Sequence, residues 1–265
     1  MASRSATTSS DFLTRRFDAL ARRSQKALVV YVTAGHPDRE GSLALLQGVA
    51  AAGADVVEVG IPFSDPLADG PVIQASSQRA LEYGMTFDGG LELIARARLD
   101  VPVVVFTYLN PLLSAGEDAL ARAAEAGASG VLVTDLPVGA DPDLETRIAH
   151  GPLAFIRLVA PTTPAVRMAE IARHGSGFVY VISRLGVTGA RQDVPADLPD
   201  TIGRLRAVTT LPICVGFGIS TPRQAAAVAR LADGVVVGSA VVRAADRSVD
   251  DAVKLVRELG ESVRA

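Results

Sequence analysis

The sequence predicts an α/β protein, a single (β/α)8 TIM barrel with an extra N-terminal helix. Eight short runs rich in β-branched residues recur along the chain, and most of them are nearly all apolar. Such runs are typical of parallel strands that are buried on both faces. Helical patterns separate the runs, and eight alternations within 265 residues match the number at which a barrel closes. A doubly wound open sheet has the same alternation, but no G-x-G-x-x-G fingerprint follows the first strand here.

The elements of this barrel can be placed along the chain. Residues 1–10 are small and polar and are predicted to be a disordered tail, which leaves residues 11–265 as the barrel catalytic domain. The amphipathic segment Phe12–Ser24 predicts the extra helix, and we expect it to cover the bottom of the barrel. Two further helices begin with proline directly after threonine, a common helix start. The predicted strands are Leu28–Thr33, Val56–Gly60, Val103–Thr107, Gly130–Thr134, Leu153–Leu158, Phe178–Ile182, Ile213–Gly216 and Gly234–Val237, and the predicted helices between them include Ser42–Ala52, Asp118–Ala126, Pro164–Arg173 and Pro222–Leu231.

The composition excludes several classes of function. The net charge is −3, from 26 basic and 29 acidic residues, so nothing draws the chain toward nucleic acid or anionic membranes. No apolar run approaches the roughly 18 residues of a membrane span, and the N-terminus lacks the apolar stretch of a signal peptide. The single cysteine, Cys214, allows no intrachain disulfide, which fits a reducing compartment. We therefore expect a cytoplasmic protein.

Lysine and metal chemistry are also disfavoured by the sequence. The only lysines are Lys26, which precedes the first strand, and Lys254, which falls in the last predicted helix, so neither is well placed for a Schiff base. The three histidines lie far apart and no short-spaced set of His and Cys ligands exists. We expect no metal site.

The loop after the second strand is the most unusual segment of the chain. Active sites of these barrels form at the C-terminal ends of the strands, so this loop is where chemistry is expected. Glu58 interrupts an otherwise apolar strand, and a carboxyl group near the barrel interior is costly unless it is paired, hydrated or used. Asp69 follows in a turn rich in proline and glycine. By itself, an Asp-Gly pair of this kind is as consistent with a turn as with a catalytic role.

The loops after the last three strands contain a second signal. Glycine-rich segments stand at Ser183–Ala190, Gly216–Ser220 and Val237–Ala240. Glycine lets backbone N–H groups approach an anion, and phosphate sites in barrels usually use the last loops. The residues by themselves thus predict a barrel enzyme that acts on a small phosphorylated molecule by carboxylate acid–base chemistry. They do not identify the substrate.

One long segment, Glu58–Gln74, closely resembles the signature of the tryptophan synthase alpha subunit family. The resemblance extends in order from about Phe12 to Arg264, which is nearly the whole chain. One difference is Phe106, which is bulkier than the aliphatic residue expected there. The other matching segments are Thr107–Pro111, Thr134–Pro137, Ser183–Gly189, Gly216–Ile219 and Val237–Ala240.

This resemblance implies a lyase of tryptophan biosynthesis, which cleaves indole-3-glycerol phosphate to indole and glyceraldehyde 3-phosphate. By the family's pattern, Glu58 is the general acid–base, and Asp69 accepts a hydrogen bond from the indole N–H. Thr188 would close onto Asp69 as part of a mobile lid. The resemblance implies that Gly189, Gly218, Gly238 and Ser239 bind the phosphate and that Tyr31, Ile73, Phe106, Tyr108, Tyr180 and Phe217 line the indole pocket.

The resemblance also implies a partner. Members of the family work in an alpha2beta2 heterotetramer with a beta subunit that holds pyridoxal phosphate (PLP), so this chain itself is expected to need no cofactor. Pro62, Asp65 and Asn110 fall where the two subunits meet in the family.

Three alternatives remain open at this stage. The first is a beta-independent indole-3-glycerol-phosphate lyase that makes free indole. The second is an inactive chain that only activates a beta subunit, although the presence of Glu58 and Asp69 argues against it. The third is another phosphate-binding barrel, such as an isomerase, although the motif after the second strand argues against it.

Overall fold

The computed structural model describes residues 9–182, 195–216 and 218–265. Within these residues, eight parallel strands close into a barrel in sequential order, β1 to β8. This confirms the predicted fold class. The strands are β1 Ala27–Thr33, β2 Val56–Gly60, β3 Val103–Thr107, β4 Ala128–Val133, β5 Ala154–Val159, β6 Val179–Ile182, β7 Ile213–Gly216 and β8 Gly234–Val237.

Helices surround the barrel, and the four predicted between strands are confirmed with slightly different ends. The helix α3 was not predicted, and it begins directly after the unusual loop with Pro71 at its first position, where the missing N–H costs nothing. The helices are α1 Ser9–Arg22, α2 Arg39–Ala51, α3 Pro71–Glu82, α4 Phe87–Ala97, α5 Leu109–Ser114, α6 Ala119–Glu125, α7 Pro142–Ala149, α8 Ala165–Arg173, α9 Leu198–Arg206, α10 Pro222–Ala229, α11 Ser239–Ala245 and α12 Val249–Arg264.

The extra helix α1 covers the N-terminal end of the barrel, as expected. Its buried face presents Leu13 and Phe17 to the barrel interior, where the Phe17 ring lies 5.5 Å from that of Phe178. The helix begins at Ser9, so the predicted end of the tail at residue 10 is too late by two residues. The backbone N–H of Ser10 donates to the Pro152 carbonyl at 3.2 Å, which ties the first turn to the barrel. Residues 1–8 lie outside the described residues.

Glycines make room for large side chains at the C-terminal end of the barrel. Tyr31 on β1 and Tyr180 on β6 both point into the interior and are nearly fully buried. A Cβ atom at Gly60 would overlap the Tyr31 hydroxyl, and one at Gly216 would overlap the Tyr180 hydroxyl. Each tyrosine ring therefore lies over a glycine of the neighbouring strand, and the two rings shape the open end of the barrel.

We expect Gly60→Ala to destabilise the protein by about 1–3 kcal/mol, because a side chain there overpacks a closed interior. Tyr31 cannot easily move aside, since its ring packs edge-on against Phe106 at 5.2 Å. The matched control is Gly203→Ala on the exposed face of α9, where nothing lies within 4 Å of the added methyl group. That control should stabilise the helix by about 0.5–1 kcal/mol. Urea unfolding of both variants measures the difference, and equal effects would contradict the packing argument.

Candidate active site

A cavity of about 120 Å³ opens at the C-terminal end of the barrel. It brings together residues from opposite ends of the sequence, including the two carboxyl groups singled out above. Because strands in a parallel barrel all end on the same side, the loops after β2, β7 and β8 meet there. The cavity is lined by Tyr31, Glu58, Asp69, Gly70, Ile73, Phe106, Tyr180, Gly218, Gly238 and Ser239.

Glu58 is a fully buried carboxyl group on a barrel strand. It lies in the middle of β2, in register with Tyr31 on β1 and Val104 on β3, and its side chain is fully buried. Among the described residues, neither of its carboxyl oxygens has a hydrogen-bond partner. Burial disfavours the charged form and raises the pKa of Glu58 to about 8. At neutral pH the group is therefore mostly protonated and can donate a proton to a molecule in the cavity.

Asp69 is also buried, but hydrogen bonds hold both its side chain and its backbone carbonyl. Its Oδ2 accepts a hydrogen bond from the Tyr108 hydroxyl at 3.0 Å, and its backbone carbonyl accepts one from Gln74 Nε2 at 3.0 Å. Burial raises the pKa of Asp69 to about 6, and the hydrogen bond from Tyr108 acts in the opposite direction. Asp69 is therefore mostly ionised at neutral pH. Two carboxyl groups in one cavity thus differ in charge, which is the usual arrangement of an acid beside a charge-stabilising anion.

Aromatic and aliphatic side chains form the walls around these carboxyl groups. Tyr31 and Phe106 pack edge to face, with an interplanar angle of 82°. Ile73 from α3 and Tyr180 from β6 complete the apolar part of the lining. Walls of this kind suit a flat apolar ring and exclude water from the carboxyl groups.

The opposite side of the cavity is suited to an anion. Gly238 precedes α11, and Ser239 is the first residue of that helix. The helical hydrogen bonds to Gly238 come from the N–H groups of Val241 and Val242. The N–H groups of the first helical residues therefore have no acceptor within the helix. Gly218, with a φ of +86°, brings its backbone to the same side of the cavity.

Comparison with known proteins identifies the family. A family model described as tryptophan synthase alpha chain matches residues 17–265. The chain belongs to the tryptophan synthase alpha chain family. The alpha chain of Desulfatibacillum aliphaticivorans is 47% identical over 258 residues, covering 94% of this chain and 96% of that protein. The alpha chain of Caulobacter vibrioides (strain NA1000 / CB15N) is 46% identical over 258 residues, covering 96% of this chain and 90% of that protein.

Solved structures of the same family have the same fold. A tryptophan synthase chain from Mycobacterium tuberculosis superposes with a TM-score of 0.89 at 36% identity, covering 96% of this chain and 98% of that one. Tryptophan synthase subunit alpha from Legionella pneumophila has a TM-score of 0.86 at 33% identity, with 97% and 99% covered. The sequence-based assignment to this family is confirmed.

The structure brings most of the binding residues implied by the family resemblance to one cavity. Three of the four phosphate-site residues and four of the six indole-pocket residues line it. Tyr108 is not among the lining residues. It lies behind Asp69, with its ring 5.2 Å from that of Phe63. Thr188, Gly189 and Phe217 lie outside the described residues.

The three residues expected at a partner interface lie on the loops after β2 and β3. Asp65 and Asn110 are exposed, whereas Pro62 is buried within this chain. Leu67 lies in the same loop as Asp65, and 93% of its surface is exposed.

The side chains for other kinds of chemistry lie elsewhere. Lys26 precedes β1, and its Nζ is 3.8 Å from Asp233 Oδ1, at the end of the barrel away from the cavity. Lys254 is exposed on α12. In the described ranges, no three His, Cys, Asp or Glu side chains are grouped to hold a metal ion. Nor does any described helix have the length and apolar character required to cross a bilayer.

Sequence reasoning missed the residues that support the site. The hydroxyls of Thr33 and Ser76 lie 2.7 Å apart, and Ser76 Oγ donates to the Ile73 carbonyl at 2.8 Å, so α3 is bonded to β1 beside the cavity. The link between Gln74 and the Asp69 carbonyl was also not predicted. The sequence position of Tyr108 could have indicated its contact with Asp69, because a polar side chain directly after β3 lies next to the loop after β2.

Proposed function

We propose that this chain is a lyase that cleaves indole-3-glycerol phosphate to indole and glyceraldehyde 3-phosphate, in the last stage of tryptophan biosynthesis. The observation that carries the proposal is the pair of unlike carboxyl groups in one cavity. Glu58 is a protonated acid to which no described residue hydrogen-bonds, and Asp69 is an anchored anion. The apolar walls fit the indole ring, and the N-terminus of α11 with Gly218 and Gly238 fits the phosphate.

The reaction follows from these roles. Glu58 donates its proton to indole C3, which turns the ring into a positively charged indolenine. Asp69 accepts a hydrogen bond from the ring N–H and stabilises that positive charge. The Glu58 carboxylate then removes the proton of the glycerol hydroxyl next to the ring. The carbon–carbon bond breaks, its electron pair returns to the ring, and the hydroxyl carbon becomes the aldehyde. The two proton transfers leave Glu58 as it began.

Three residues that lie outside the described part of the chain are assigned the roles that the family resemblance implies. Gly189 would contribute a further backbone amide to the phosphate, and Phe217 would complete the indole pocket. Thr188 would close onto Asp69 and exclude water while the reaction proceeds.

The same proposal includes a partner and a location. The chain works in an alpha2beta2 complex with a tryptophan synthase beta subunit, which supplies PLP, and both act in the cytoplasm. Asp65 and Asn110 support the partner surface, because they are exposed on adjacent loops at the cavity end. Pro62 shapes the base of the first of these loops.

The test is indole release from indole-3-glycerol phosphate by the purified chain, with and without a beta subunit. We expect weak cleavage alone and a large increase when the beta subunit is added. No cleavage in either condition would contradict the substrate assignment. Full activity of the isolated chain would instead support the beta-independent lyase, which neither the site nor the relatives above favour.

Lys26→Ala should leave kcat/KM for this cleavage unchanged. Its ion pair with Asp233 lies at the far end of the barrel and is partly exposed, so its loss should cost at most about 1 kcal/mol of stability. Lys254→Ala is the matched control, because that lysine is exposed on α12. Steady-state kinetics of the two variants measure whether kcat/KM depends on Lys26. An inactive Lys26→Ala enzyme that is still folded would point to lysine chemistry.

A further inference from the structure

Tyr108 connects two loops beside the cavity through a single hydroxyl group. It is buried and follows β3 directly, at the start of α5. Its Oη donates to Asp69 Oδ2 at 3.0 Å and accepts from the backbone N–H of Ala68 at 3.0 Å. One hydroxyl therefore holds both the carboxylate of Asp69 and the backbone just before it.

Among the described residues, the loop that carries Asp69 has little other support for this side chain. Most residues between Phe63 and Ala68 are exposed, so packing does not determine where the turn lies. The other hydrogen bonds of the turn hold its backbone, from Leu67 N–H to the Asp65 carbonyl, from Asp69 N–H to the Pro66 carbonyl, and from Gln74 Nε2 to the Asp69 carbonyl. These bonds hold the backbone turn and leave the carboxylate orientation to Tyr108.

Tyr108 is in turn held by the next loop around the barrel. Asp135, which follows β4, accepts a hydrogen bond at 2.7 Å from the N–H of Leu109, the residue after Tyr108. The Tyr108 ring also packs on Phe63, at 5.2 Å between ring centroids. The loops after β2, β3 and β4 are thus joined in one chain of contacts that ends at Asp69.

We propose that Tyr108 is a positioning residue that orients the Asp69 carboxylate for the reaction, and that Asp135 holds Tyr108 in place. This inference rests on the proposed function. With Oδ2 bonded to Tyr108, Oδ1 is the oxygen that accepts the ring N–H of the substrate. A hydrogen bond donated to a carboxylate also favours its charged form. The titratable groups that face Asp69 are Tyr108 on the next loop and Glu58, Tyr31 and Tyr180 around the cavity.

The variant Tyr108→Phe removes the hydroxyl and keeps the ring on Phe63. We expect kcat to fall about tenfold, equivalent to about 1.4 kcal/mol of transition-state stabilisation, while KM changes less than about twofold. The acidic limb of the pH profile of kcat/KM should move to higher pH, because the pKa of Asp69 rises without the donated bond. Tyr83→Phe is the matched control, since Tyr83 is 66% exposed at the end of α3. Kinetics identical to those of this control would overturn the proposal.

A second measurement needs no substrate, so it separates this proposal from the proposed function. Carbon-13 NMR of the aspartate carboxyl groups, with the Asp69 signal assigned from Asp69→Asn, follows its titration in the wild-type and Tyr108→Phe proteins. A higher pKa of Asp69 in the variant supports the positioning role, and an unchanged pKa overturns it. If the wild-type chain cleaves no indole-3-glycerol phosphate, the proposed function fails and this titration alone decides the role of Tyr108.

Two variants at Asp135 test whether this residue holds Tyr108 in place. The side-chain oxygen in Asp135→Asn can still accept the Leu109 N–H, so this variant should behave like the wild type. Asp135→Ala removes the acceptor and should lower kcat in the same direction as Tyr108→Phe. Equal kcat in the two Asp135 variants would overturn the role of Asp135, whether or not Tyr108 positions Asp69.

Discussion

Replacing Glu58 by glutamine should lower kcat for indole-3-glycerol phosphate cleavage by about three orders of magnitude. Glutamine has nearly the same shape but carries no acidic proton at neutral pH, so protonation of indole C3 loses its donor. Substrate binding should change little, because the phosphate and the ring are held by other groups of the cavity. Isothermal titration with an analogue that lacks the cleavable hydroxyl measures binding separately from turnover. Glu125→Gln on the exposed side of α6 is the matched control.

The pH dependence of the wild-type enzyme should show both carboxyl groups. Activity requires Asp69 ionised and Glu58 protonated, so kcat/KM should rise through about pH 6 and fall through about pH 8. Comparable turnover by Glu58→Gln, or a profile in which activity still increases above pH 9, would contradict the acid role of Glu58.

The same variant should change how stability depends on pH. Folding raises the pKa of Glu58 from 4.5 to about 8. The contribution of this group to the free energy of unfolding is therefore fully present below about pH 4.5 and is lost as the pH rises through 8. Glutamine does not titrate. The free energy of unfolding of Glu58→Gln, relative to that of the wild type, should therefore increase by on the order of several kcal/mol between pH 5 and pH 9. Urea unfolding of both proteins at the two pH values measures this gain. If the two proteins differ in free energy of unfolding by the same amount at both pH values, Glu58 is not buried in its charged form at high pH.

Replacing Asp69 by asparagine should lower kcat/KM by about two to three orders of magnitude. The single amide oxygen can still accept the hydrogen bond from Tyr108, so the loop should keep its geometry. What is lost is the negative charge that stabilises the indolenine, together with the second oxygen that accepts the indole N–H. The rising limb near pH 6 should disappear with it.

The control for this variant is Asp18→Asn, on an exposed position of α1 at the other end of the barrel. Circular dichroism and unfolding midpoints should match the wild type for both variants. If Asp69→Asn keeps most of the activity, the negative charge of Asp69 does not stabilise the transition state and its proposed role is wrong.

The strands illustrate what could be predicted from local sequence. Four of the eight have the predicted limits, and the others differ by one or two residues. Apolar β-branched runs are buried on both faces in a parallel barrel, so they stand out without any tertiary information. Glu58 stood out for the same reason, as a carboxyl group inside such a run. The family resemblance then extended the site to positions that periodicity alone could not select.

Helix α3 and the tail illustrate what could not be predicted as well. The segment Pro71–Glu82 follows a Pro- and Gly-rich loop and shows a weaker apolar pattern, because its buried face includes Ser76 and Ser77. Ser9 and Ser10 look like a tail in sequence, yet both lie in α1, where the N–H of Ser10 bonds to the carbonyl of Pro152, distant in the chain.

The amino-acid order alone thus predicted the fold class and singled out Glu58, because both depend on local patterns, whereas the choice of Asp69 needed the family resemblance. Only the structure showed the pairing of Tyr108 with Asp69, the overlap that makes Gly60 necessary, and the burial of Glu58 with no hydrogen-bond partner among the described residues. These features join segments about 30 to 40 residues apart, or depend on what surrounds a side chain on all sides. The protonation states that the reaction needs arise from burial and hydrogen bonding, which are properties of the folded barrel and not of any one segment.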